Sequence, residues 1–309
     1  MNNHSLNKQF VLTRVDFDKN QNPRWKLADL ESEEILNFSP NLEEKLTIKI
    51  DLSQRFCIGW HSLETGEDFV CPNKIILDKK YTQCPKCQQR TGFNPAFYNV
   101  DSSEVSSQQQ IRNSQPHFVY LAYFSDEIIK VGISFSGRGI ARLLEQGARA
   151  ALILGEFSSA NIARSYEEKI SKMPEFCENV KASGKLKTLE RKFDFKIAEK
   201  KLLAAREKIE QIQKVNFEKN QPLNLDRFYM KDTGFLPREV VLATDCAQSD
   251  NFLIFSGILK AQIGYILLAE QQNEIIALPL RKFIGYKIKF LSENIELELP
   301  KRQASLFDF

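Results

Sequence analysis

Residues 46–52, Leu-Thr-Ile-Lys-Ile-Asp-Leu, alternate apolar and polar side chains, the period of a strand with one buried face. Residues 118–124, Phe-Val-Tyr-Leu-Ala-Tyr-Phe, are apolar throughout and predict a buried strand. Ser125-Asp126-Glu127 turns the chain and residues 128–134 return, which makes a hairpin. Gly132 lies inside the returning strand, where glycine weakens a sheet and marks a bulge or a close backbone approach. A helix is predicted from about Arg138, with Ile140, Leu143 and Leu144 on one side and Gly147 as its stop. Residues 150–154 form a third apolar run, after which Ser158 or Ser159 can cap a second helix reaching about Met173.

Beyond it, residues 193–217 carry a helical pattern rich in lysine, glutamate and alanine, with Ile197, Leu202, Leu203, Ile209 and Ile212 as an intermittent apolar stripe. Its lysines are interspersed with glutamates, so a solvated helix is expected, closed by Pro222. Short strand candidates at 240–243, 252–255, 263–268, 275–280 and 286–291 predict a small β-rich domain, with a barrel as one form it can take. Its basic and aromatic groups at 257–265 and 281–287 could contact a nucleic-acid backbone or bases, or serve as ordinary strand and turn residues. Residues 101–115 hold five serines and four glutamines with little that is apolar, the composition of a linker. The expected fold class is therefore α+β. A β-rich segment over 1–100 is followed by a linker over 101–115, an α/β domain over 116–190, a long helix over 191–220, a β-rich domain over 221–295 and an exposed tail over 296–309.

Composition narrows the setting. A chain of 309 residues, 42% hydrophobic and 27% charged, suits one large or two to three small soluble domains. No stretch approaches the roughly 20 apolar residues of a membrane helix, and the start Met1-Asn2-Asn3-His4-Ser5 lacks the pattern of a secretory signal, so a cytoplasmic protein without membrane contact is expected. The net charge of +3 is too small to argue for duplex binding, and any nucleic-acid role must rest on local sites.

Six cysteines are too few and too uneven for a disulfide scaffold. Cys57, Cys71, Cys84 and Cys87 fall within one segment, the last two with the Cys-x-x-Cys spacing of a zinc knuckle, and two thiolate pairs can close a tetrahedron around Zn2+. A structural zinc site, coupled to folding, is the expectation. A Cys84–Cys87 redox pair is the rival, disfavoured by the two neighbouring cysteines and the absence of a βαβ pattern. His61 could replace one cysteine as ligand or be a surface histidine on a turn. Cys177 and Cys246 are isolated and read as buried or neutral thiols.

The order Phe118-Val119-Tyr120, Lys130-Val131-Gly132, Arg142 and Glu167 resembles the GIY-YIG nuclease module. More closely, Lys130-Val131-Gly132-Ile133-Ser134 followed by Arg142-Leu143-Leu144-Glu145-Gln146-Gly147-Ala148 resembles the DUF2797 family, which joins a cysteine-rich zinc segment to a GIY-YIG-like domain. The likeness extends from about residue 50 to 290, through residues 257–262 and 281–286. It implies that Tyr120 orients or deprotonates a nucleophile, that Arg142 contacts phosphate, and that Glu167 holds a divalent metal, Mg2+ or Mn2+. Those residue types suit the chemistry: carboxylate oxygen binds hard cations, a divalent cation polarises a phosphodiester, and the arginine fork matches phosphate oxygens. Two departures stand out. Lys130 occupies the place of the family's second tyrosine and is the fourth candidate, able to bind phosphate but a poor base unless strongly desolvated. The histidine often found after the helix arginine has no counterpart, Gln146 standing nearby. Glu168 is an alternative to Glu167 as metal ligand, and plain structural roles for Tyr120 in a core and Arg142 and Glu167 on helix faces stay open.

The chain ends Gln303-Ala304-Ser305-Leu306-Phe307-Asp308-Phe309, an apolar tail suited to filling a partner's pocket. It resembles the pentapeptide by which bacterial replication and repair proteins dock on the DNA polymerase sliding clamp. By that resemblance Gln303 is the polar anchor and Leu306 and Phe307 enter the pocket, while Ala304 replaces a commoner leucine. The tail could also pack on its own domain. Two functions follow: a clamp-recruited DNA-processing or repair protein with metal-dependent endonuclease activity, or a noncatalytic nucleic-acid-binding or adaptor protein that keeps the fold. RNA is the alternative nucleic acid.

Overall fold

Strands from both ends of the chain share one sheet. In the computed structural model, which describes residues 8–231, 240–246 and 249–300, the chain opens with β1 (Gln9–Phe17), β2 (Pro23–Asp29), β3 (Glu34–Phe38) and β4 (Lys45–Phe56). Two short pairs of residues, β5 (Trp60–His61) and β6 (Asp68–Phe69), form a small hairpin, and β7 (Ile76–Leu77) adds to the end of β4. Near the other end lie β13 (Val240–Leu242), β14 (Phe252–Ile263), β15 (Ile266–Gln271), β16 (Glu274–Pro279) and β17 (Tyr286–Leu291). Their order is β13-β16-β15-β14-β4-β17-β1-β2-β3, so β4 is flanked on both sides by strands from the C-terminal quarter. The two β-rich stretches expected as separate domains are thus one sheet of ten strands.

The alternation over 46–52 is what puts Leu46, Ile48 and Ile50 on a single core face. That core also takes Trp25 from β2, Leu267 from β15 and Ile276 from β16, so the sheet curls around a shared interior. Trp25 Nε1 donates to Gln262 Oε1 at 2.8 Å across it, from β2 to β14. Among the described residues the strand path has two ends, at β13 and β3, and the sheet curls without closing as a barrel.

The intervening chain builds an α/β unit. Its sheet runs β11 (Phe176–Cys177), β9 (Ile128–Phe135), β8 (His117–Ser125), β10 (Ala150–Phe157), β12 (Leu223–Asn224). The expected hairpin is β8–β9, and all nine residues of β8 are buried because both faces of this sheet are covered. On one face Val119, Leu121 and Leu152 pack under α4 (Ala160–Ser171) and α6 (Phe195–Gln213), which contribute Ala163, Ile170, Leu202 and Ile209. On the other, Phe118, Tyr120 and Ala122 meet Leu143 and Leu144 of α3 (Ala141–Gln146), and the same cluster continues into Ala261, Ile263 and Leu268 of the large sheet. Helix α3 is therefore the joint between the two sheets. Each fully buried leucine there contributes roughly 1.5–3 kcal/mol.

Two helices follow their sequence signals closely. Ser159 caps α4 by accepting from the Ile162 N–H, and Gly147 ends α3 in the left-handed region. In α6, Ala198, Leu202 and Ile209 face inward, whereas Ile197 and Ile212 of the expected stripe are exposed. The 4-then-7 spacing of the buried set leaves those two on the flank and in the last turn. The stretch expected as a linker is folded: α2 (Ser107–Asn113) is capped by Ser106 and tied to the segment behind α1 (Pro85–Thr91). The remaining helix is α5 (Ala182–Leu189). No helix among the described residues is long and apolar enough to cross a membrane. The fold is mixed α+β with a cysteine cluster in its first third.

Candidate functional site

The four expected cysteines converge. Strand β4 ends at Phe56 and delivers Cys57, β6 leads to Cys71, Cys84 stands at the N-cap of α1, and Cys87 lies in the first turn of that helix. Their sulfurs lie within 4.8 Å of one another, and all four residues are buried. The Cys84 backbone N–H donates to Cys57 Sγ at 3.2 Å. Trp60 and Phe69, stacked 4.0 Å apart, stiffen the small hairpin alongside. Burial pushes the Cys57 thiol up to about 11 and raises Cys87 as well. Burial would raise Cys84 too, but hydrogen bonds with Cys87, Cys57 and Cys71 lower it, and the four thiols form a cluster that can coordinate a metal ion. His61 is outside it: its Nδ1 meets Asp68 at 3.0 Å and Arg14 at 3.4 Å.

A second constellation forms at the edge of the α/β unit. Tyr120 and Gly132 are paired across β8 and β9, and a Cβ at Gly132 would sit 2.5 Å from the Tyr120 hydroxyl. The missing side chain is the space the phenol occupies, so the glycine inside this strand marks a close approach. Lys130, two residues along the same face, is buried and donates to the Glu178 carbonyl. Arg142 reaches in from α3, half-exposed, with Glu145 at 3.5 Å. Glu167 turns inward from α4, paired with Arg164 at 2.6 Å, whereas Glu168 is exposed and paired with Lys172.

These groups feel one another. Burial pushes Tyr120 up to about 12, opposed by the charge of Arg142 and reinforced by Glu167. Burial lowers Lys130, with Glu167 opposing and Arg142 adding to the shift. Glu167 is raised by burial, against the hydrogen bond from Arg164. Arg142 itself lies in the field of both Tyr120 and Tyr265.

Arg138 and Glu145, paired on and beside α3, and Lys185, Tyr265 and Arg281 join this group without having been assigned to it by sequence. Lys185 of α5 donates to the Gln146 carbonyl at 2.5 Å, and burial plus the charges of Lys130, Arg281 and Arg142 bring it down to about 8. Tyr265, at the β14–β15 turn, and Arg281, whose guanidinium carbon is 5.9 Å from the Tyr265 ring centre, arrive from the large sheet. Both fall in stretches whose basic and aromatic groups the sequence marks as possible nucleic-acid contacts, but their place beside Arg142 comes only from the docking of α3 on that turn. Gly147 and Gly264 make the docking tight: a Cβ at Gly264 would lie 2.9 Å from the Glu145 carbonyl. Lys130, Arg138, Arg142, Lys185 and Arg281 thus lie in one electrostatically coupled group around the two tyrosines, with Glu145 and Glu167 as the carboxylates. Positive charge gathered so closely favours an anion, and arginine forks suit phosphate oxygens.

The chain belongs to the DUF2797 family, described as a protein of unknown function, which matches residues 46–288. No curated protein and no solved structure matches it. The matched region takes in both the cysteine cluster and the cleft. Gln303, Leu306 and Phe307 lie outside the described residues.

Proposed function

We propose that this protein processes DNA, using a GIY-YIG-like central unit that grips a phosphodiester and cleaves it with the help of a divalent metal. The observation that carries the reading is that Tyr120, Lys130, Arg142 and Glu167 lie within one another's electrostatic influence, where Lys185 and Arg281 add positive charge. Arg142 presents a fork to the phosphate oxygens and opposes the charge that develops on them. Lys130 and Lys185 extend that grip along the backbone. Tyr120, with its pKa near 12, keeps its proton at neutral pH and orients the attacking group by hydrogen bonding rather than as a free base. Glu167 is the carboxylate suited to Mg2+ or Mn2+, a cation that would supply Lewis acidity at the phosphoryl group. To serve there, Glu167 must loosen its pairing with Arg164.

The four-cysteine cluster is read as a structural Zn2+ site, a closed set of four thiolates with no position left for a substrate. Gln303, Leu306 and Phe307 are read as the element that recruits the protein to the DNA polymerase sliding clamp.

The test is cleavage of labelled duplex, branched and single-stranded DNA with magnesium or manganese. Metal-dependent cutting is expected, reduced by a factor of about 100 or more in Glu167→Ala and in Tyr120→Phe. Absence of cutting by folded, zinc-loaded protein would overturn hydrolysis. A second reading, a noncatalytic nucleic-acid-binding protein, is favoured by Arg164 holding Glu167 and by Lys130 standing where the nucleases have tyrosine. Under it, binding persists without cleavage and still falls in Arg142→Ala. Because the cleft addresses phosphate, RNA in the same assays decides which nucleic acid is preferred.

A further inference from the structure

Along the outer side of α4 runs an open cavity of about 590 Å³ that the phosphate cleft does not use. One wall is α4, through Asn161 and Arg164. The other is the segment from Phe97 through α2, which hangs from the metal module. Ser106 donates to the Gly92 carbonyl at 2.7 Å, and the Gln109 side chain holds Asn94 by two hydrogen bonds, of 2.7 and 2.8 Å. The wall that sequence composition presents as a linker is thereby fixed to the C-terminal end of α1, the helix that carries Cys87 and is capped by Cys84.

Tyr98 stands in this cavity with 42% of its surface exposed. The Arg164 guanidinium lies over its ring, 4.2 Å from the centre, and donates to its hydroxyl at 3.2 Å. The side-chain amides of Asn99, Asn113 and Asn161 line the same space and make no hydrogen bond among the described residues. A rigid half-exposed aromatic ring, a stacked guanidinium and several amides are the groups that receive an unstacked base: one supplies a π-face, the others meet polar base edges. The volume suits a ligand of nucleotide size. Arg164 also connects the cavity to the cleft, since its other nitrogen holds Glu167 at 2.6 Å.

We propose that this cavity is a base-binding subsite for single-stranded nucleic acid, seating an unpaired base on Tyr98 beside the strand that the phosphate cleft holds. The inference rests on the nucleic-acid reading given above and adds a preference for unpaired or flapped strands. It also gives the metal module a task, because that module carries one wall of the subsite.

The experiment is fluorescence anisotropy with the full-length, zinc-loaded protein, using a labelled DNA strand of about 12 nucleotides and its duplex. Tyr98→Ala is expected to weaken single-strand binding on the order of tenfold and to leave duplex binding unchanged. Tyr98→Trp, which keeps a stacking face, is expected to bind the strand as wild type does. If Tyr98→Ala binds the strand normally while Arg142→Ala loses both ligands, the subsite is overturned and the phosphate cleft stands. Equal weakening of strand and duplex by Tyr98→Ala, with Tyr98→Trp no better, would mean a structural role and also overturn it. Failure of the wild type to bind either ligand removes both readings together. Adenosine monophosphate, titrated alone, separates the source of the base: Tyr98-dependent binding of it, with strand binding indifferent to Tyr98, overturns the strand assignment.

Discussion

Arg14 from β1, Lys26 from β2 and His61 from the small hairpin all meet the carboxylate of Asp68. Burial alone would raise this acid, yet the hydrogen bond from His61 and the charges of Arg14 and Lys26 bring it down to about 2. Its folded pKa lies below its unfolded one, so its contribution is present above the unfolded value and is lost as pH falls through the folded one. A loss of about 2 kcal/mol is expected between roughly pH 5 and pH 2. Denaturant titrations across that range should show it in wild type and not in Asp68→Asn. A pH dependence identical in both proteins would rule the linkage out. At this scale the sequence is readable where chemistry depends on spacing along the chain. The Cys-x-x-Cys pair is of that kind. Lys185 and Arg281 are not, because each is an ordinary basic residue until the fold brings it next to Lys130 and Arg142.

Helix α3 has only six residues, too short to hold its place by its own hydrogen bonds. Its position comes from Leu143 and Leu144 beneath it and from the turn at Gly264 above its end. Gly264 has φ +59, and a Cβ would meet the Glu145 carbonyl and the Gly147 N–H at 2.9 Å. Gly264→Val combines left-handed strain with a backbone clash, and an expected cost of at least about 2 kcal/mol follows. Since Arg142 rides on the displaced helix, the proposed nucleic-acid binding should weaken in the same variant even at temperatures where it remains folded. Thermal melts paired with anisotropy check both parts, and unchanged affinity in the folded variant would detach the turn from the site. The elements legible in advance were those with a local signal: the β8–β9 hairpin, the Gly147 stop, the Ser159 cap. Helix α2 was hidden because its serines and glutamines are held by capping and side-chain bonds to Gly92 and Asn94, partners that composition does not reveal. Within the β-rich segment expected over 1–100, β1 and β2 could not be placed individually because they are buried on both faces over much of their length, which erases the period-two pattern.

For the molecule as a whole, the proposed zinc ion joins three regions: the end of β4, the small hairpin and α1, to whose far end the segment from Phe97 through α2 is tied. Thiolate ligands must lose protons to bind it, so affinity should drop steeply as pH falls. Stripping the metal with a strong chelator at neutral pH is expected to lower the melting temperature by several degrees or more and to raise proteolysis around residues 57–115. An apoprotein with the melting curve and cleavage pattern of the loaded form would deny the metal a structural part. The pairing of chain ends in a single sheet could not be read beforehand. Each strand carries its own pattern, but none names its neighbour.

That pairing bears on how the protein is made. β4 leaves the ribosome early, yet the strands on either side of it begin at Phe252 and Tyr286. Its apolar row of Leu46, Ile48 and Ile50 must wait, uncovered, through some two hundred further residues of translation. The cysteines at 57–87 need no such delay, since all their partners emerge together. Nascent chains would then pass through a state with a finished metal knot beside an unfinished sheet, the interval in which a chaperone has most to protect.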